Sequence, residues 1–203
     1  MNEPRIKAPL VLPPGADTLA RIEAVLRNAG WRWAARIPAA PQQLHEEIWV
    51  RDDDQVQVRH IDDRYVDVRL LSIQGDHGKV VYDLLERLRQ ELGGEEREDL
   101  LILTGSDDPA ARMHGISGLA ASTPEFDGDV FEAVRDALRS DDVSLRECAF
   151  RCMARLAWYE FALEIDRLLE DMTTETPVGQ EEQAFQERLR SLAQDLRKFG
   201  HGA

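Results

Sequence analysis

Asp107-Asp108-Pro109-Ala110-Ala111-Arg112 and Asp141-Asp142-Val143-Ser144-Leu145-Arg146 repeat one pattern at an offset of 34 residues, and their reading decides the fold of the C-terminal half. Each opens with two acidic residues, and each places an arginine a few residues later. The match continues downstream, where Ile116 aligns with Phe150, Leu119 with Met153 and Ala120 with Ala154. A fixed offset of this size marks an array of stacked helix pairs. Second helices are expected at 130–139 (Val130, Val134, Ala137, Leu138) and 161–171 (Phe161, Ile165, Leu168, Leu169), where apolar residues recur at helical spacing.

These openings resemble HEAT repeats, in particular the short bacterial HEAT-like kind, whose units begin with Asp or Asp-Pro and carry an arginine early in the first helix. Asp108-Pro109 with Arg112, and Asp142 with Arg146, fit that opening. The resemblance covers about residues 107–171. It implies an α-solenoid in which such an arginine bonds an acidic residue or a carbonyl near the repeat turn, and it implies no reaction. Gly115 and Gly118 depart from the pattern, each weakening a helix by about 1 kcal/mol relative to alanine unless they admit close helix contact. Two repeats seldom stand alone, so helices near 95–104 and 181–199 are expected to cover the open ends. Phe185, Leu189, Leu192, Leu196 and Phe199 form a narrow seam on the last of these. That seam either packs on the neighbouring repeat or makes a homodimer through the 185–199 helix.

The N-terminal half has a different period. Residues 1–15 hold Pro4, Pro9, Pro13, Pro14 and Gly15 and read as an extended arm. Leu19, Ile22, Val25, Leu26 and Ala29 predict a helix stopped by Asn28 and Gly30. Ile48-Trp49-Val50, 56–61 and 66–73 are β-branched and largely alternating, which predicts three antiparallel strands. Asp52-Asp53-Asp54 and Asp62-Asp63-Arg64 are expected as the hairpin turns. A second helix carries Val80, Val81, Leu84, Leu85, Leu88 and Leu92 and ends at Gly93-Gly94. The expected fold class is therefore α+β. A small three-stranded antiparallel sheet with two helices, α-β-β-β-α over 16–93, is followed by a short HEAT-like α-solenoid over 94–203 with a capping helix at 181–199.

Composition limits the function. The chain has 203 residues and a formal net charge of −14. Nucleic-acid binding draws its sequence-independent free energy from basic side chains that displace counterions, so nucleic acid is not an expected partner. An acidic surface favours a basic protein instead. No apolar run reaches the roughly 18 residues of a membrane span. The N-terminus lacks a signal peptide's apolar stretch, and two cysteines make no disulfide framework. A cytoplasmic location without membrane association is expected.

No catalytic or cofactor signature emerges. Cys148 and Cys152 lie four apart on the apolar face of one helix, and His114 aligns with Cys148 in the preceding repeat. A fourth zinc ligand is missing, so core packing is the first reading, with metal binding and redox switching as alternatives. His60 with Asp62 resembles an acid–base pair but has no nucleophile in a recognisable setting. Neither metal nor cofactor is assigned. Trp31 and Trp33 are candidate partner anchors, since tryptophan is enriched at interface hot spots, although core closure is the alternative for each. The second repeat helices carry Glu132, Asp136, Glu160, Glu164 and Glu170. These acids form the expected partner-binding surface of a non-catalytic adaptor or regulatory module that holds a basic protein. An immunity protein against a basic toxin such as a nuclease fits the same charge. An enzyme of the HEAT-like DNA-repair or lyase type is the third reading, disfavoured because a repair enzyme needs a basic concave face.

Overall fold

The alternating stretches of the first half join into one antiparallel sheet in the computed structural model, which describes residues 6–14, 18–39, 44–51, 56–123, 125–173 and 179–199. Its strands are β1 (Ile6–Val11), β2 (Arg32–Ile37), β3 (His45–Val50), β4 (Val56–Asp63) and β5 (Val68–Gly75), in the order β1-β5-β4-β3-β2. The expected three-stranded sheet with two helices followed by a solenoid is thereby corrected. The sheet has five strands, and eight helices occur among the described residues.

Both unexpected strands lie at sheet edges, where sequence signals are weakest. Strand β1 comes from the stretch read as an extended arm and pairs Leu10 with Leu71 and Pro9 with Ser72. Proline cannot donate to a ladder, but an edge strand tolerates it because half its N–H groups point away from the partner. Strand β2 follows Gly30, whose φ of 81° fits a residue without Cβ. It has little alternation, and a bulge interrupts its register with β3 between Trp33 and Ala35. The second expected turn also moves. Asp62 and Asp63 belong to β4, the chain reverses over 64–67, and Asp67 takes the left-handed conformation at φ 58°. The buried Asp63 accepts a hydrogen bond from Tyr65 N at 3.1 Å. Residues 52–54 lie outside the described residues.

The chain divides into two units, Met1–Leu100 and Leu101–Ala203. In the first, helices α1 (Thr18–Asn28) and α2 (Gly78–Leu92) cover one sheet face. Ile22, Leu26, Val81, Leu88 and Leu92 from these helices meet Ala8, Leu10, Trp49, Val56, Val58, Leu71 and Ile73 from the strands. Gly93 ends α2 in the left-handed conformation, and its N–H bonds Arg89 O at 2.8 Å. A Cβ on Gly94 would overlap Leu10.

The second unit is helical. Helix α3 (Arg97–Thr104) leads into it, followed by α4 (Pro109–Ser122), α5 (Gly128–Leu138), α6 (Val143–Leu156), α7 (Glu160–Thr173) and α8 (Gln180–Phe199). The repeat in sequence is a repeat in hydrogen bonding. Asp108 caps α4 by accepting from Ala110 N, and Asp142 caps α6 by accepting from Ser144 N and Leu145 N. Ser106 Oγ and Ser140 Oγ accept from the backbone N–H groups of Asp108 and Asp142. The repeated unit is thus Ser-Asp-Asp rather than Asp-Asp alone. Helix α4, with Gly115 and Gly118 buried, packs along α6, while α6 also packs on α5, and α7 on α8. The α8 seam is spent inside this unit, since Phe185, Leu189, Leu192 and Leu196 are buried and Phe199 stays 80% exposed. No described helix is long and apolar enough to cross a membrane.

Candidate functional site

The acidic residues expected to hold a partner come mainly from α5 and α7. The two helices, with the α5 cap residue Arg139, carry eight carboxylates against three guanidiniums. Arg139 joins them. Its guanidinium reaches Glu164 at 2.7 Å and Asp171 at 3.4 Å, both on α7. The hydrogen bond to Glu164 raises the arginine's pKa further above its usual value. On α5, Arg135 bonds Glu132 at 2.8 Å and Asp136 at 3.0 Å. These three arginines, even with Arg197 of α8 on Asp166, do not neutralise the eight carboxylates, and the surface keeps an excess of negative charge.

The expected site residues do not share one role. Glu132, Asp136 and Glu170 are exposed, and Glu160 is half-buried. Glu164 is 3% exposed and held by Arg139 and Arg167, so it ties helices together instead of facing solvent. Asp166 pairs with Arg197 of α8. Arg112 and Arg146, equivalent in sequence, diverge in structure. Arg112 Nε donates to Thr104 O at 3.2 Å, whereas Arg146 meets Glu182 at 3.1 Å and lies over the Phe185 ring.

The two candidate tryptophans also separate. Trp31 is buried in the core of the sheet unit, with Arg51 over its ring. Trp33 is 49% exposed and its Nε1 donates to Glu47 Oε2 at 2.7 Å. The other oxygen of Glu47 accepts from Arg36 Nε at 2.6 Å and faces His45 Nε2 at 3.4 Å. Burial alone would push this carboxyl up, yet the Trp33 and Arg36 hydrogen bonds and the positive charge of Arg36 hold it below its ordinary value. Beside it, Leu19, Glu23 and Arg27 of α1, with Trp33, Arg36, Glu47 and Trp49, line a cleft of about 210 Å³. Glu47 was absent from the sequence-derived candidates. Its signal was period two from the buried Trp49, which places it on the covered face.

His60 sits across from Glu47 on the same face, 3% exposed. Neither ring nitrogen has a hydrogen-bond partner among the described residues, and burial pushes the imidazole down to about 4. Asp62 pairs with Arg64 at 3.0 Å, so the proposed acid–base partner is engaged elsewhere. Cys148 and Cys152 are buried free thiols. Cys148 contacts Ser117 Oγ at 3.3 Å, one turn beyond the His114 that aligns with it in sequence. The Cys148 contact and burial raise the Cys152 thiol well above its ordinary value, which suppresses thiolate chemistry. No cluster of three or more His, Cys, Asp or Glu suited to a metal occurs among the described residues. No protein-family model, curated protein or solved structure shows significant similarity to the chain.

Proposed function

We propose that this protein is a non-catalytic binding module whose α5–α7 surface holds a basic segment of a partner protein. The observation that carries this reading is the Arg139 bridge. By clamping Glu164 and Asp171 from the end of α5, it sets two acidic helices side by side with carboxylates in excess. A basic segment gains there by displacing weak surface pairings, which are individually worth little. The unit formed by residues 101–203 holds 20 acidic and 11 basic side chains, a net charge of −9 out of the chain's −14. Its kinship with HEAT-like repeat proteins and a cytoplasmic location belong to the same proposal. The repeated Ser-Asp-Asp helix starts support the first, and the two free thiols support the second.

Charge reversal tests the reading. Glu132, Asp136 and Glu170 are exposed and can become lysine without leaving a buried charge, whereas Glu164 must be spared because Arg139 depends on it. The tagged protein is expected to retain a stoichiometric basic partner at low salt, and the Glu132→Lys/Asp136→Lys/Glu170→Lys protein to lose it. Equal retention by both proteins would reject the acidic-surface reading. If the retained partner is a nuclease or another toxin encoded beside this chain, the module acts as an immunity protein through the same surface.

A further inference from the structure

The cleft beside Trp33 is a second site, in the sheet unit, and its chemistry is independent of the acidic helix surface. Its size comes first. A volume of about 210 Å³ exceeds the roughly 150 Å³ that accommodates a benzene ring, but falls short of the roughly 300 Å³ at which drug-sized pockets begin. One ring with a small substituent fits.

The walls select the ring. Leu19 and Trp33, 37% and 49% exposed, present apolar and aromatic surface, and Trp49 lines the cleft with them. Trp33 is not a loose side chain, because its Nε1–H is bonded to the buried Glu47. The indole is therefore held in place before anything binds, which lowers the ordering entropy lost on stacking.

The hydrogen-bonding balance selects the substituent. Both oxygens of Glu47 are engaged, one by Trp33 and the other by Arg36, with His45 facing the latter. Glu23 is paired with Arg27 at 2.5 Å. Each carboxylate thus already has a partner, Glu23 through one oxygen. Arg36 gives only Nε to Glu47, and its other four N–H donors have no hydrogen-bond partner among the described residues. Its side chain is 61% exposed yet anchored at the base of the guanidinium. A cation entering here meets one carboxylate already bonded through both oxygens and another already paired with Arg27, whereas a planar anion finds a fixed fork of donors beside an aromatic face.

We propose that this cleft binds a small aromatic carboxylate, with the ring against Trp33 and the carboxylate on the terminal amino groups of Arg36. The test uses the full chain, with benzoate, benzamidine and benzyl alcohol as anionic, cationic and neutral probes of similar size. Their binding is followed by the NMR shift of the Trp33 indole N–H. Benzoate is expected to give a saturable shift and benzamidine none. Benzyl alcohol should bind about tenfold or more weakly than benzoate, the scale of one charge-assisted hydrogen bond. Arg36→Met should bring benzoate down to the level of benzyl alcohol while leaving benzyl alcohol unchanged. The proposal is overturned if benzoate gives no saturable shift, if benzamidine binds as well as benzoate, or if Arg36→Met leaves benzoate affinity intact. Should Arg36→Met fail to fold, the three-probe series on the natural chain decides alone.

Discussion

His60 shows how one residue can tie stability to pH. Its neighbours on the sheet are Glu47 and His45 from β3, Asp62 from its own strand, and Arg69 and Leu71 from β5. Burial disfavours the imidazolium, Arg69 and His45 add to that, and Asp62 and Glu47 oppose it without prevailing. An ordinary histidine titrates near 6.5, whereas His60 waits until about 4. Between those values the unfolded chain binds a proton that the folded chain refuses, so stability rises with pH across the window and is complete above it. The expected loss on acidification from about 6.5 to about 4 is about 3 kcal/mol from this group alone. Urea unfolding midpoints across that range check it, and His60→Leu should flatten the acid side of the profile. Glu47 works at lower pH with the same sign. Its lowered pKa means that its contribution is present above the usual glutamate range and lost as pH falls through the folded value.

Among the elements, the helices of the second unit differ most in how they end. Helix α6 closes on Ala157 at φ 52°, a conformation that costs a side chain with Cβ about 1 kcal/mol. Ala157→Gly is therefore expected to stabilise the chain by about that amount, read as a raised denaturant midpoint. A lowered midpoint would show that the alanine methyl packs usefully there. Helix α8 raises a different question, because a spaced apolar seam reads equally as a dimer interface or an internal contact. Leu189 is fully buried against the rest of its unit. Leu189→Ala should then destabilise the fold by about 3 kcal/mol, independent of protein concentration. A concentration-dependent loss in sedimentation or unfolding would instead reveal a dimer through this helix.

For the molecule as a whole, charge is spread unevenly. The first 100 residues carry 19 acidic and 14 basic side chains, a net charge of −5, against −9 in the remainder. A partner drawn to the helical unit should associate more slowly as salt rises, because screening shortens the reach of exposed charges to roughly 8 Å at physiological ionic strength. Stopped-flow association rates should fall about tenfold or more between low and high salt, while a rate insensitive to salt would exclude steering by this surface.

Local chemistry was legible in the sequence alone. Helices α1, α2, α5, α7 and α8 announced themselves through 3.6-residue periodicity, and α4 and α6 through the 34-residue repeat, because each signal lies within the chain's own neighbourhood. Strands β3, β4 and β5 were legible through β-branched, largely alternating residues. Strands β1 and β2 were hidden, since the first is accepted by a partner 59 to 69 residues away and the second is a bulged, mostly exposed edge. Their pairing depends on the rest of the sheet being present, and a sequence window cannot contain that. The same holds for Glu164, read as a surface acid and found buried under Arg139, and for Glu47, one of a Glu46-Glu47 pair until Trp33, Arg36 and His45 converge on it. Capping and periodicity belong to the chain's own neighbourhood. Burial and hydrogen-bond saturation of a carboxylate are set by residues brought from other strands and helices, and tertiary structure alone decides them.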